Sequence, residues 1–286
     1  MSEPILRRLA RRVLGDKVAN KLWKRVEIIG DIAILRKPFD VDTEVFKPIA
    51  EALLRELKYV KSVWLAVSPV HGDYRIREYI HLAGEYRSET VYREHGCAFV
   101  LDIRRVYISP VLSYDHIRVA RMVKEGERIL NMFAGIGGYS IVISKHAKPS
   151  YVLSIDINEY AVMYLKRNVV LNKVEEVNDV IHGDAFSVTQ SLSDDSFDRV
   201  LIPLPELALQ AFRLALRVVR NNGIVHVHLF VESQYKKDAI AEAMRKLLRE
   251  SFAGVEIRLH GGHVIRSIGP RKYHVVLDVE VLKHSS

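Results

Sequence analysis

A single cysteine, Cys97, stands among 286 residues, so no internal disulfide can form and no cysteine-rich metal site is available. No apolar run approaches the length of a membrane span. The start of the chain, with Arg7, Arg8, Arg11 and Arg12, is too charged for a secretion signal. These absences make a cytoplasmic chain away from membranes the expectation. Histidines 226, 228 and 263 lack the paired spacing of a zinc site, so no metal is expected and strand or loop roles are assigned to them. Repeats and low-complexity segments are missing as well. Acidic residues are outnumbered, 35 against 43 lysines and arginines, which leaves a net charge of +8. That balance favours a polyanionic partner, although a surface laced with ion pairs would look the same. The basic residues gather at 7–25 and again at Arg75, Arg77, Arg87, Arg93, Arg104 and Arg105.

What is present is apolar content of 49%, enough to bury a core in one large domain or two modest ones. Residues 5–26 read as one basic amphipathic helix, with Leu6, Leu9, Val13 and Leu14 on one side. Val26–Leu35 alternates around Gly30-Asp31 and reads as a hairpin. Ile49, Leu53, Leu54 and Leu57 recur at helical spacing over Phe46–Lys58. Strand-like runs follow at Ser62–Val67, Glu78–Leu82, Thr90–Glu94 and Cys97–Asp102. Mixed segments without βαβ regularity predict a small α+β domain over 1–108. Beyond it, strands at Arg128–Asn131, Tyr151–Asp156, Asp179–His182, Arg199–Ile202 and Gly223–His228 alternate with helices. Strands Val255–Leu259 and His274–Val281 close the chain. The pattern predicts an α/β domain over 109–286, a doubly wound sheet whose ligand lies at the carboxyl ends of its strands.

The most informative stretch is Arg128-Ile-Leu-Asn-Met-Phe-Ala-Gly-Ile-Gly-Gly-Tyr-Ser-Ile141 with Ser154-Ile-Asp-Ile-Asn158 after it. Gly135, Gly137 and Gly138 let the backbone turn sharply and approach a ligand where a Cβ would clash. Asp156 then stands where a carboxylate accepts hydrogen bonds from ribose hydroxyls. No lysine follows the glycines, which argues against a P-loop. The spacing is not GxGxxG, which argues against a dinucleotide. A nucleoside cofactor without pyrophosphate remains, and S-adenosyl-L-methionine fits best. Asp184, after Gly183, can accept from an adenine amino group; a helix cap is the plainer alternative. Pro203-Leu204-Pro205 ends a strand at the carboxyl edge. It offers only backbone carbonyls to a target base, and a stiff turn is its plainer alternative.

Taken together, Tyr74-Arg75-Ile-Arg77-Glu78, Leu82-Ala-Gly-Glu85, Ser88-Glu-Thr90, Glu94-His-Gly96, Val106-Tyr107-Ile-Ser-Pro110, Met132-Phe-Ala-Gly-Ile-Gly137 and Leu204-Pro205-Glu206 resemble the archaeal and eukaryotic tRNA (guanine37-N1)-methyltransferases. The resemblance runs from about residue 26 to the end. It implies a Rossmann-like class I methyltransferase domain preceded by the smaller α+β domain, and a monomer. It also implies that the family's N-terminal module for the outer corner of tRNA has no counterpart here. The implied activity is methyl transfer from S-adenosyl-L-methionine to N1 of the guanine 3′ to the anticodon, with the tRNA anticodon stem-loop as partner. The implied cofactor residues are Tyr107, Asn131, Phe133, Ala134, Gly135, Gly137, Asp156, Ile157, Asp184, Ala185, Pro203, Leu204 and Pro205. Tyr107, alternating with Val106 and Ile108, also reads as core.

Arg75 maps to the arginine that contacts the target guanine, and Asp115 to the family's glutamate general base, one methylene shorter. Plainer roles are a phosphate contact or ion pair for Arg75 and a helix cap for Asp115. A carboxylate takes the N1 proton only if burial or neighbours raise its pKa. Four positions depart from the family pattern: Val111 for arginine, Asp115 for glutamate, Asn131 for aspartate and Pro203 for asparagine. They keep two alternatives open. One is a wybutosine-pathway enzyme, either an aminocarboxypropyl transferase or a methyltransferase acting on a tricyclic precursor. The other is a non-catalytic tRNA-binding paralogue.

Overall fold

In the computed structural model, which describes residues 3–250 and 254–284, the basic N-terminal segment does not form one helix. Of the expected domains, residues 1–2, 251–253 and 285–286 lie outside the described residues. Helix α1 (Ile5–Leu14) buries Leu6, Leu9 and Ala10 and stops at Gly15, whose φ is +82°. A short α2 (Asp16–Ala19) follows. The helix expected over 5–26 is corrected accordingly, because a glycine in a left-handed conformation closes the last turn. Its arginines find local partners. Arg8 and Arg12 reach Glu56 at 2.6 and 3.5 Å, and Arg11 meets Glu3 at 2.6 Å and also Asp16. Lys21 meets Asp40 at 3.1 Å. Pairs this exposed add little stability, but they cancel much of the charge that pointed to a polyanion.

Strands β1 (Glu27–Ile29) and β2 (Ile32–Arg36) form the antiparallel hairpin. Helix α3 (Phe46–Glu56) then leads to β3 (Ser62–Ala66), which pairs parallel to β2. This is a βαβ unit in a domain expected to lack one. Strand β4 (Tyr79–Gly84) completes a sheet of order β1-β2-β3-β4, while β5 (Glu89–Glu94) and β6 (Cys97–Asp102) form a separate pair. Leu6 and Leu9 of α1 and Phe46, Ile49 and Leu53 of α3 pack with Ala33, Leu35, Val63 and Leu65 of the sheet. This first unit comprises Met1–Glu94 and Ala98–Ile108.

The second unit comprises His95–Cys97 and Ser109–Ser286. Its elements are α4 (Ser113–Met122), β7 (Arg128–Asn131), α5 (Gly138–Ala147), β8 (Tyr151–Asp156), α6 (Glu159–Leu171), β9 (Asn178–His182), α7 (Ala185–Ser191), β10 (Phe197–Ile202), α8 (Ala208–Val218), β11 (Val219–Glu232), α9 (Ala239–Leu248), β12 (Val255–Gly269) and β13 (Lys272–Lys283). They build a seven-stranded sheet of order β12-β13-β11-β10-β7-β8-β9. Five strands are parallel; β13 runs antiparallel between β11 and β12. Strand β12 is much longer than the Val255–Leu259 expected, and bulges interrupt its register.

The two faces of this sheet differ in chemistry. Val225, Val227 and Leu229 of β11 and Val275, Leu277 and Val279 of β13 join Phe212 and Ala215 of α8 and Ala239 and Ala243 of α9 in an apolar core. Side chains alternate along a strand, so the same strands turn His226, His228, His274 and Asp278 to the other face, all buried. There a chain of hydrogen bonds links them to α4 and α5. Arg199 donates to Glu127 (2.7 Å) and to Nε2 of His226 (2.7 Å), and His226 donates from Nδ1 to Asp278 (2.6 Å). Arg118 grips Asp278 with two nitrogens (2.6 and 2.9 Å) and Asp115 with Nε (2.7 Å). Tyr139 donates to Asp115 (2.5 Å) and accepts from Nε2 of His228 (2.9 Å), whose Nδ1 accepts from His274 (2.9 Å). These tautomers are the ones that satisfy every link.

Burial pushes His228 down from 6.5 to about 4, so the imidazole is neutral in the folded chain. Its stabilising contribution is therefore complete above the unfolded value of 6.5 and is lost as the pH falls towards 4. Between about pH 7.5 and pH 5 the unfolding free energy should drop by about 2 kcal/mol from this group alone. Urea denaturation at the two pH values measures the drop, and His228→Gln should remove most of it.

Candidate functional site

Because β7, β8, β9 and β10 are parallel, their carboxyl ends lie along one edge of the sheet. That edge gathers Asn131, Asp156, Asp184 and Pro203. Gly135 and Gly137 both have positive φ, +55° and +99°. A Cβ on Gly137 would lie 2.4 Å from Leu165 Cδ1, and one on Gly138 would lie 2.5 Å from the His116 ring. At Gly135 a Cβ would meet nothing within 4 Å. The turn is thus packed against protein at 137 and 138 and open at 135, the side left for a ligand.

Asp156 ties this turn to the end of β8. Its two oxygens accept from the N–H groups of Gly135 (2.7 Å) and Asn158 (2.9 Å). Burial raises its pKa, partly offset by these backbone donors. A carboxylate has about four acceptor positions, so capacity remains for ribose hydroxyls. Asn131 is completely buried. Its amide nitrogen donates to Ser140 (3.0 Å), while its Oδ1 has no hydrogen-bond partner. An orphaned acceptor is costly, and here it stands beside the glycine turn, where a ligand ammonium would satisfy it.

The other expected cofactor positions are less uniform. The Ala134 N–H donates to the Ile155 carbonyl (2.8 Å), and Phe133 meets Phe186 edge-on with ring centroids 6.2 Å apart. Ile157 is exposed and Ala185 buried. Asp184 caps α7, accepting from the Ser187 N–H and hydroxyl, both at 2.8 Å. The cap is what the structure shows, and both of these bonds fall on one oxygen. Pro203, Leu204 and Pro205 are half-buried. The Leu204 carbonyl already accepts from Leu207 (3.2 Å), so it is engaged within the turn rather than offered to a base.

Arg75 and Tyr107 come together within the first unit, the guanidinium 4.9 Å from the ring centroid. Arg75 holds a φ of +53°, a conformation that costs a non-glycine residue on the order of 1 kcal/mol. Nothing in its local sequence announced this. Asp115, in the second unit, departs from the expectation for a general base. Burial raises its pKa, but the charge of His228, the charge of Arg118 and the hydrogen bonds from Tyr139 and Arg118 together outweigh burial and hold it below the usual carboxylate range. His228, pushed down to about 4, carries its charge only in the acid range in which Asp115 itself titrates. The required upward shift is absent, and each carboxylate oxygen already accepts a hydrogen bond. Sequence reading missed Arg118, Tyr139 and Asp278 in this setting. The His226-x-His228 alternation was the visible trace of the polar face.

Residues 90–257 match the model of the TRM5/TYW2 methyltransferase domain, and residues 6–88 match that of the TYW2 N-terminal domain. The tRNA 4-demethylwyosine(37)-methyltransferase Taw21 of Saccharolobus solfataricus is 45% identical, over 91% of this chain and 94% of that protein. The tRNA (guanine(37)-N(1))-methyltransferase Trm5b of Pyrococcus abyssi is 35% identical, over 89% of this chain and 74% of that protein. The solved structure of P. horikoshii TYW2 in complex with MeSAdo is 27% identical with a TM-score of 0.76, covering 99% of this chain and all (100%) of that one.

The Arg118 bridge is open to direct test. Arg118→Met strands two buried carboxylates and should lower the unfolding free energy by about 3–5 kcal/mol in urea denaturation.

Proposed function

The chain belongs to the TRM5/TYW2 methyltransferase family, and we propose that it methylates a tricyclic guanosine derivative of the 4-demethylwyosine type in tRNA, with S-adenosyl-L-methionine as donor. The observation that carries this reading is the 45% identity to Taw21 over nearly the whole of both chains. The site chemistry supports it. Methylation of N1 on plain guanine needs a base for the N1 proton, and Asp115 is buried, doubly engaged and held below its usual range. In a tricyclic base N1 is already bonded into the added ring, so there is no such proton to remove. The transferred methyl replaces a proton on a ring carbon; the sulfur–methyl bond breaks, leaving S-adenosylhomocysteine, and the ring proton passes to solvent.

The bound cofactor supplies an electrophilic methyl group. Asn131 Oδ1 would accept from its amino group, Asp156 would hold the ribose hydroxyls, and Asp184 would use its other oxygen for the adenine amino group. Phe133 and Ile157 would flank the adenine. Within the first unit, the Arg75 guanidinium over the Tyr107 ring is a flat cationic surface of the kind on which a planar base stacks. Asp115 is a positioning residue that fixes Tyr139 and α4.

A second reading, methylation of N1 on guanosine itself, draws on the Trm5b relative and on the match of Arg75 to the family motif. Incubation with S-adenosyl-L-methionine and tRNAs bearing either guanosine or 4-demethylwyosine at the target position separates the two by nucleoside mass spectrometry. One methyl on the tricyclic nucleoside alone is expected. Methylation of guanosine alone would replace this reading with the second, and an aminocarboxypropyl product would overturn both. Asp115→Asn should reduce turnover by less than about tenfold without moving the pH profile, whereas loss of a general base costs about 10²–10⁴-fold.

A further inference from the structure

One arginine in the second unit stands apart from the donor and acceptor positions. Arg266 of β12 lies opposite His274 of β13, which lies opposite Phe230 of β11. Directly paired residues share a sheet face, so Arg266 belongs to the face that carries His228 and, over it, Asp115. Further along β12, His263 pairs with Val276, itself opposite His228, and its ring lies 5.2 Å from the ring of exposed Tyr114 on α4. Tyr114 precedes Asp115 in the chain.

Arg266 is half-buried, and its Nε is withdrawn from solvent without a hydrogen-bond partner. Among the described residues its side chain has no ion pair. Arg87, Arg118 and Arg199 behave differently, each gripping a carboxylate. A guanidinium N–H removed from water and left without an acceptor destabilises a fold, which marks a place where an external acceptor belongs. The register of β12 shifts between Val264 and Arg266, and bulges of this kind re-aim side chains near functional sites. Lys236 adds positive potential, since its charge acts on His263. The nearby carboxylates Asp115 and Asp278 are both committed to Arg118.

We propose that Arg266, with His263 on the same strand and sheet face and Tyr114 against His263, binds a backbone phosphate of the RNA substrate. The assignment of the anion to RNA rests on the function proposed above. A guanidinium fork matches two phosphate oxygens at once, and the tyrosine hydroxyl and imidazole supply further donors. Burial holds His263 below the ordinary histidine value, so it contributes a hydrogen bond rather than a second charge at neutral pH.

Fluorescence anisotropy with a labelled anticodon stem-loop RNA, titrated over a series of salt concentrations, tests this on the full chain. Arg266→Gln should weaken binding about tenfold at low salt and reduce the slope of log affinity against log salt by about one. Arg266→Lys should keep the slope. The thermal midpoint of Arg266→Gln should be equal to or above that of the parent, and its affinity for S-adenosyl-L-methionine should be unchanged. Unaltered RNA affinity and slope, with or without a lower midpoint, would overturn the assignment. Failure of the parent chain to bind RNA would overturn both this assignment and the function on which it rests.

Discussion

The guanidinium of Arg118, set between two buried carboxylates, is the interaction on which the second unit turns. Asp115 lies on the same helix as Arg118 and Asp278 lies 160 residues beyond Arg118, and neither carboxylate could stay charged away from water without it. Desolvating three ions is unfavourable, and the arrangement holds because further hydrogen bonds support each carboxylate. Tyr139 completes Asp115, and His226 completes Asp278. A network of this kind tolerates one geometry. It sets the rotation of α4 on the sheet, and with it the segment from Ser109 that carries the family's Ser-Pro motif. Asp115 therefore reads as a chemical residue by motif and as a structural keystone by environment.

The sheet divides its labour between faces and edges. The face under α8 and α9 is apolar and supplies the hydrophobic driving force. The face under α4 and α5 is polar and supplies orientation. The carboxyl edge, where a parallel sheet leaves backbone and side chains available to ligands, carries Asn131, the Gly135 turn and Asp156. The orphaned Asn131 oxygen and the unobstructed side of Gly135 are adjacent along this turn. The first is an unmet hydrogen-bond acceptor and the second a stretch of backbone left uncovered by protein.

Much of this was legible before any coordinates. Arg128–Asn131 and Tyr151–Asp156 appear as strands over those same residues because each is a short apolar run bounded by turn signals, the kind of pattern that depends only on neighbours in sequence. The glycine turn was legible for the same reason. What was not legible depends on distant partners. The pairing of Arg118 with Asp278, the downward shift of Asp115 and the left-handed backbone of Arg75 leave no local trace. The length of β12 was hidden by Gly261, Gly262 and the bulges, which break the alternation that marks a strand. The first unit's βαβ crossover was hidden because Ile32–Leu35 looks alike whether its neighbour runs parallel or antiparallel. The ion pairs of the basic helix were hidden in another way, since Glu56 is remote in sequence and Glu3 is easily overlooked.

The position of β13 has a consequence for how the molecule is assembled. It is the last strand of the sheet in chain order, yet it sits inside, between β11 and β12. Strand β12 emerges from the ribosome first but has no sheet edge to join until β13 has been laid against β11. Asp278 arrives on that same strand, so Arg118 waits without its second carboxylate through most of synthesis. The sheet closes late and through long-range contacts, which favours slow folding. Until then the half-finished unit presents an open β11 edge, and unpaired strand edges of this kind are prone to aggregation.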